Sequence, residues 1–256
     1  MRTPWLVKRK PNRRASVRLF CFPYAGGGDS IFRSWQESLS DTIEVCPVQL
    51  PGRGSRIGET PYAEMDQLVR AAGQALAPYL DKPFALFGHS MGALIAFEFA
   101  RHLRREYNAQ PVHIFVSGRC SPQTMSEPLD LELFDCEFPE ILRRNNGTPE
   151  EALDNPELME LVLPILRADL VLCKSYIYTV EPPFSFSVTA FGGLEDDGVP
   201  RHSLEDWREH TTGPFVLRMF PGGHFFLNSA RLPLLEAISK ELEQDALQSF
   251  QEKSQS

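Results

Sequence analysis

The chain has 256 residues, of which 42% are hydrophobic and 23% charged, and it carries a formal net charge of -8. That length and apolar content suit one globular domain with a large core, and the acidic balance argues against nucleic acid or an anionic membrane as the main partner. The five cysteines, Cys21, Cys46, Cys120, Cys136 and Cys173, are odd in number and lack C-x-x-C spacing, so neither a disulfide framework nor a zinc site is expected.

Residues 1–16 hold the basic cluster Lys8-Arg9-Lys10 and Arg13-Arg14, read as a solvated, poorly ordered terminus because the whole chain is acidic. No apolar run reaches the length of a signal peptide or a membrane span, so a soluble, cytoplasmic protein is expected. The domain itself is assigned to residues 17–245, with a polar C-terminal tail at 246–256.

Val17 to Phe22 reads as a first strand, running into Pro23-Tyr24-Ala25-Gly26-Gly27-Gly28, where three glycines leave backbone N–H groups facing open space. A helix from about Ser30 to Leu39 and a strand from Ile43 to Leu50 follow. The loop Pro51-Gly52-Arg53-Gly54-Ser55-Arg56 is expected on the surface, held by local hydrogen bonds; its arginines could alternatively grip an anion. Met65, Leu68, Val69, Ala72, Leu76 and Leu80 mark a core-facing stripe on a helix at 62–80.

The most informative stretch is Phe84-Ala85-Leu86-Phe87-Gly88-His89-Ser90-Met91-Gly92. A short apolar run stops at Gly88, a serine sits between two glycines at G-x-S-x-G spacing, and a helical pattern begins at once with Ala93, Leu94, Ile95 and Phe97. That is strand, sharp turn, helix, with Ser90 presented at a helix N-terminus where unpaired N–H groups favour a nearby anion. The helix ends near Arg105, and Val112 to Gly118 reads as a strand buried on both faces.

The strand–helix alternation predicts an α/β architecture, a mostly parallel sheet with helices on both sides. It breaks between about residues 120 and 183, where 129–138, 139–145 and 156–178 carry only helical patterns. This insert is expected to be a lid whose apolar residues, among them Leu158, Met159, Leu161, Val162, Leu163, Ile165 and Leu166, line an acyl channel or cover the sheet. The sheet resumes at Phe186 to Phe191, followed by the acidic loop Glu195-Asp196-Asp197. After a helix at 204–209 and a strand at 215–220 comes Pro221-Gly222-Gly223-His224. The order Ser90, Asp196, His224 is that of an α/β-hydrolase triad, in which the second oxyanion donor comes from a loop after an early strand.

Five segments, Phe22-Pro23-Tyr24-Ala25-Gly26-Gly27, Leu50-Pro51-Gly52-Arg53, Phe87 to Gly92, Pro164-Ile165-Leu166-Arg167-Ala168-Asp169 and Pro221 to Phe226, resemble those of the type II thioesterases. These are the free-standing editing thioesterases of polyketide and nonribosomal peptide synthesis, on the α/β-hydrolase fold. The resemblance covers about residues 17–240 and includes the Arg-Ala-Asp segment, which ordinary esterases lack; Tyr24 stands where many members carry His. It implies a triad of Ser90, Asp196 and His224, the acid lying three residues before Val199, with Asp197 as the fallback. It also implies the backbone N–H groups of Ala25 and Met91 as oxyanion donors. No metal or cofactor is implied, since the phosphopantetheine arm belongs to the substrate.

The expected partners are acyl or peptidyl carrier proteins and small acyl thioesters, acting on a monomer, with a docking patch sought among Arg119, Arg143, Arg144 and Arg167. Product release from a medium-chain acyl carrier, a small-molecule carboxylesterase and a non-catalytic binding protein are the alternatives.

Overall fold

The computed structural model describes residues 3–6, 12, 14–124 and 156–254; within helices, 156–158 and 247–254 are described for the backbone alone. Six strands, β1 (Val17–Phe22), β2 (Ile43–Pro47), β3 (Phe84–His89), β4 (His113–Ser117), β5 (Ser187–Gly193) and β6 (Phe215–Phe220), form one sheet. Its order is β2-β1-β3-β4-β5-β6, and all five neighbouring pairs run parallel. Helices cover both faces: α1 (Trp35–Ser38), α2 (Met65–Leu76), α3 (Met91–Tyr107), α4 (Pro156–Lys174), α5 (Arg201–Glu205), α6 (Phe226–Ser229) and α7 (Arg231–Ser254). This is the α/β architecture, a parallel sheet with helices on both faces, expected from the alternation of the two periods.

The two-residue period of the strands divides the core into two layers. On one face Phe20, Phe22 and Leu86 pack with Leu68, Val69 and Ala72 of α2 and with the apolar side of α3. On the other, Leu19, Cys21, Ala85 and Phe87 pack with Trp35 of α1 and with Leu234, Leu235 and Ile238 of α7. The central strands β3 and β4 are buried along their whole length, which is why they read as unbroken apolar runs. Each large side chain so buried contributes about 1.5–3 kcal/mol.

Both ends of the chain depart from expectation. Residues 3–6, assigned to a poorly ordered terminus, lie against the domain: Trp5 is 6% exposed, its carbonyl accepts from Gln49 N–H at 2.8 Å, and Leu6 bridges Val48. Burying a large indole that also carries the Arg56 guanidinium over its ring, 4.6 Å from the centroid, outweighs the polarity of its neighbours. The basic run Lys8-Arg9-Lys10 lies outside the described residues. At the other end, the tail expected from 246 is helical through Ser254. The stripe Leu234, Leu235, Ile238 and Leu242 seats α7, Asp245 accepts from Ser187 Oγ at 2.8 Å, and the following run has no Gly or Pro to end the helix.

The expected insert is described only at its two ends; the helical patterns at 129–138 and 139–145, and Arg143, Arg144 and Cys136, lie outside the described residues. Its C-terminal helix α4 is present, with Pro164 inside it. Ile165, Leu166, Leu172 and Cys173 are buried, whereas Leu161 and Leu163 are exposed, so its apolar residues are divided between two environments.

Candidate active site

The turn between β3 and α3 is set by steric exclusion. A Cβ added at Gly88 would fall 1.9 Å from the Gly92 carbonyl oxygen, and one at Gly92 would fall 2.1 Å from that of Phe22. Only glycine allows the strand and helix to approach so closely. Between them Ser90 takes φ 54° and ψ −114°, a strained conformation for a residue with a side chain. Its N–H donates to Ser117 O at 2.7 Å, tying the turn to the end of β4. Met91 opens α3, so its N–H is one of those without an acceptor one turn back.

Two further loops converge on this turn. The loop after β5 and the loop after β6 run side by side: Leu194 N–H donates to Phe220 O at 2.8 Å and Glu195 N–H to Gly222 O at 3.0 Å. A Cβ at Gly193 would meet Gly223 O at 2.4 Å, which explains why glycines precede both the acid and the histidine. The result is a 2.7 Å hydrogen bond between His224 Nδ1 and Asp196 Oδ2. The other oxygen, Oδ1, accepts from Gly198 N–H at 3.2 Å, and Asp196 is buried while Asp197 is exposed. A neutral His224 that donates from Nδ1 keeps a lone pair on Nε2. Its side chain is a quarter exposed.

His89 joins these loops to the turn. Its ring lies 5.2 Å from that of His224, 5.9 Å from Tyr24 and 5.6 Å from Phe226, and its Nδ1 lies 2.9 Å from Ser117 Oγ. Burial, followed by the nearby His224, holds its pKa well below the ordinary range, so it is a neutral spacer. In the sequence His89 reads only as part of the turn. Its position one residue before Ser90, pointing to the opposite side of the chain, was the available signal.

Opposite the turn lies the loop after β1. Gly27 N–H donates to Tyr24 O at 2.9 Å, and Gly26 has φ +75°. The Tyr24 ring packs on Phe225 at 4.9 Å, and burial pushes its hydroxyl pKa up. Gly26 N–H donates to Asp169 Oδ2 of α4 at 2.7 Å, and Asp169 is gripped by Arg53 through two contacts of 2.7 Å. Arg53 is thus buried, and Arg56, also buried, pairs with Glu59. Their loop is held by local hydrogen bonds, as expected, among them Gln49 Nε2 to Arg53 O and Arg56 Nη1 to Gln49 O, and Gly54 and Ser55 are exposed; only the burial of the two arginines departs from a surface location. Neither arginine is open to a ligand.

Two of the arginines sought for carrier docking lie among the described residues. Arg167 is exposed on α4, while Nε and Nη2 of Arg119 are buried. A cavity of about 500 Å³ between α2 and α3 is bordered by Asp66, Arg70, His102 and Tyr107, and a second of about 520 Å³ by Glu98, Tyr176 and Ile177. Neither touches Ser90, Asp196 or His224.

A thioesterase-domain family model matches residues 17–243. The gramicidin S biosynthesis protein GrsT of Aneurinibacillus migulanus is 46% identical over 239 residues, 93% of each chain. Among solved structures, RedJ, a thioesterase of the prodiginine pathway in Streptomyces coelicolor, superposes with a TM-score of 0.84 at 41% identity, covering 92% of this chain and 90% of its own. BorB, a type II thioesterase from the borrelidin cluster, gives a TM-score of 0.84 at 33% identity, over 93% and 97% of the two chains. The chain belongs to the thioesterase family.

Proposed function

We propose that this thioesterase hydrolyses acyl groups from the phosphopantetheine arm of acyl or peptidyl carrier proteins, with Ser90 as nucleophile, His224 as base and Asp196 as the acid that orients it. The observation that carries the assignment is the 2.7 Å His224–Asp196 hydrogen bond, with the His224 ring 5.2 Å from that of His89, the residue before a strained Ser90 at the head of α3. His224 Nε2 takes the proton of Ser90 Oγ as the oxygen attacks the thioester carbonyl. Asp196 holds the imidazole in the required tautomer and supports the imidazolium. The oxyanion is received by the N–H groups of Met91 and Ala25.

The thiol, with a pKa of about 8.5, leaves readily, and water activated by the same histidine then releases the acid from the acyl-Ser90 intermediate. Side chains, backbone N–H groups and water suffice for each step. GrsT, RedJ and BorB each come from biosynthetic assembly pathways, which supports an editing role, the removal of misprimed or stalled acyl chains.

The test is single-turnover hydrolysis of a panel of acyl groups, each on a carrier protein and as a free thioester, with Ser90→Ala as control. Broad release of short acyl groups, faster from the carrier, is expected. A sharp optimum at one long chain would make this a product-releasing enzyme instead, and an active Ser90→Ala variant would overturn the site assignment.

A further inference from the structure

Asp169 and Arg53 lie outside the proposed triad, yet they form a heavily bonded polar group beside it. Asp169 is 2% exposed and Arg53 5% exposed. Oδ1 of Asp169 accepts from Arg53 Nη2 and Oδ2 from Nη1, both at 2.7 Å, a fork-to-fork pair with fixed orientation. Oδ2 also accepts the Gly26 N–H at 2.7 Å, and Arg53 Nη1 donates to Gly27 O at 3.1 Å. One carboxylate and one guanidinium therefore hold both glycines of the turn that begins at Tyr24.

The geometry of that turn gives these bonds a consequence. A Gly27 N–H to Tyr24 O bond with φ +75° at Gly26 matches a type II turn, whose central peptide, Ala25 to Gly26, can flip toward type I. The Asp169 bond to Gly26 N–H selects one orientation of that peptide. Leu166, one turn earlier on α4, would stand 3.1 Å from a Cβ at Gly26, so the same helix also limits the turn sterically. The carboxylate is adjacent to the residue whose N–H would receive the oxyanion. Unneutralised, it would oppose that charge; Arg53 cancels it.

We propose that Asp169, fixed and neutralised by Arg53, is a positioning residue for thioester hydrolysis: it sets the turn that presents the Ala25 N–H and makes oxyanion stabilisation depend on the seating of α4. Asp169 touches no reacting atom. It acts through Gly26, and through it the C-terminal helix of the insert reports its position to the site. This rests on the reading of Ala25 as an oxyanion donor.

The experiment compares wild type with Arg53→Leu/Asp169→Leu, since replacing a buried ion pair by apolar residues of similar size often preserves folding. Thermal denaturation checks that the variant is folded. A trifluoromethyl ketone that adds to Ser90 as an oxyanion mimic is then set against its amide analogue, which binds without forming an oxyanion. Expected are a kcat lower by about 10²- to 10³-fold, the scale of one lost oxyanion donor, a KM within threefold, and mimic affinity lost while amide affinity is kept.

Asp169→Asn, which retains an acceptor for Gly26 N–H, should recover part of the kcat that Asp169→Leu loses. If the folded double variant keeps wild-type kcat and mimic affinity, or loses amide and mimic affinity equally, the pair is purely structural and the proposal falls. Ser90→Ala, assayed in parallel, separates the two readings: an inactive Ser90→Ala with a fully active double variant overturns only the positioning role.

Discussion

At the turn carrying Ser90, a Cβ on either flanking glycine would overlap backbone atoms at 1.9–2.1 Å, so no rearrangement short of moving β1, β3 or α3 makes room. At the facing turn, Tyr24 to Gly27, a Cβ on Gly26 meets only the Leu166 side chain at 3.1 Å, and the conformation is held by a carboxylate 143 residues further along the chain. The first turn is fixed by exclusion and the second by attraction. Exclusion depends on neighbouring residues and the sheet. Attraction depends on α4 remaining in place, which allows one half of a single site to be rigid and the other to respond.

The largest expected effect breaks the rigid half. Gly88→Ala and Gly92→Ala should fail to give soluble, cooperatively folding protein, because the clash is with main chain on both sides. Gly26→Ala should still fold, at a cost of about 1–2 kcal/mol for a positive φ with a side chain. Gly58→Ala, with nothing within 4 Å of its added Cβ, should be silent. Soluble yield and denaturant midpoints check the series, and a well-folded Gly88→Ala would mean that the two turns are not held differently.

Next in size is the proposed acid. Asp196→Asn leaves an acceptor near His224 but no longer enforces the tautomer, and kcat should fall about 10³- to 10⁴-fold, or about 4–5.5 kcal/mol in the barrier, with little change in melting temperature. Asp197→Asn should be indistinguishable from wild type, since Asp197 is exposed. Steady-state rates on one acyl thioester decide between them; a loss confined to Asp197→Asn would move the acid by one residue.

The same contrast governs how much was legible in the sequence. The parallel sheet could be read because its strands are short apolar runs with alternating helices, and the Ser90 turn because exclusion leaves a local signature, glycine two residues either side. Asp196 and His224 followed from order, and their glycines again recorded close approach. Arg53 could not be matched to Asp169 in this way. They lie 116 residues apart, and with 26 basic and 34 acidic residues in the chain nothing local selects this pairing. Trp5 was hidden for a related reason, since its partners Gln49, Arg56 and Tyr62 lie far along the chain.

Acid should loosen the Ser90 side of the molecule through buried histidines. His210 bonds Ser121 Oγ at 2.9 Å and packs on Phe97 of α3 at 4.9 Å. Burial, then Arg101, lowers its pKa to about 4, with Glu209 opposing. The unfolded chain, with a histidine pKa near 6.5, binds more protons than the folded one between these values, so stability is full above about pH 6.5 and falls toward pH 4. The loss from His210 amounts to about 3 kcal/mol at most, and His89, also depressed by burial, acts in the same direction. Urea unfolding at pH 7.5 and 4.5 measures it. His210→Gln should flatten the dependence, and an unchanged slope in that variant would place the acid sensitivity elsewhere.

The smallest effect concerns the strain at Ser90 itself. Its φ of 54° and ψ of −114° persist in any residue placed there because the glycines on either side fix the path of the chain. A side chain in such a conformation costs about 1–3 kcal/mol, whereas glycine adopts it freely. Against this, glycine gives the unfolded chain more freedom than alanine, worth about 0.4–1 kcal/mol. Ser90→Gly should therefore exceed Ser90→Ala in stability by about 1 kcal/mol, although both are expected to be inactive. Guanidinium midpoints of the two variants measure the difference directly. A Ser90→Gly variant no more stable than Ser90→Ala would show that the turn is not strained, and that its rigidity comes from the packing of Gly88 and Gly92 alone.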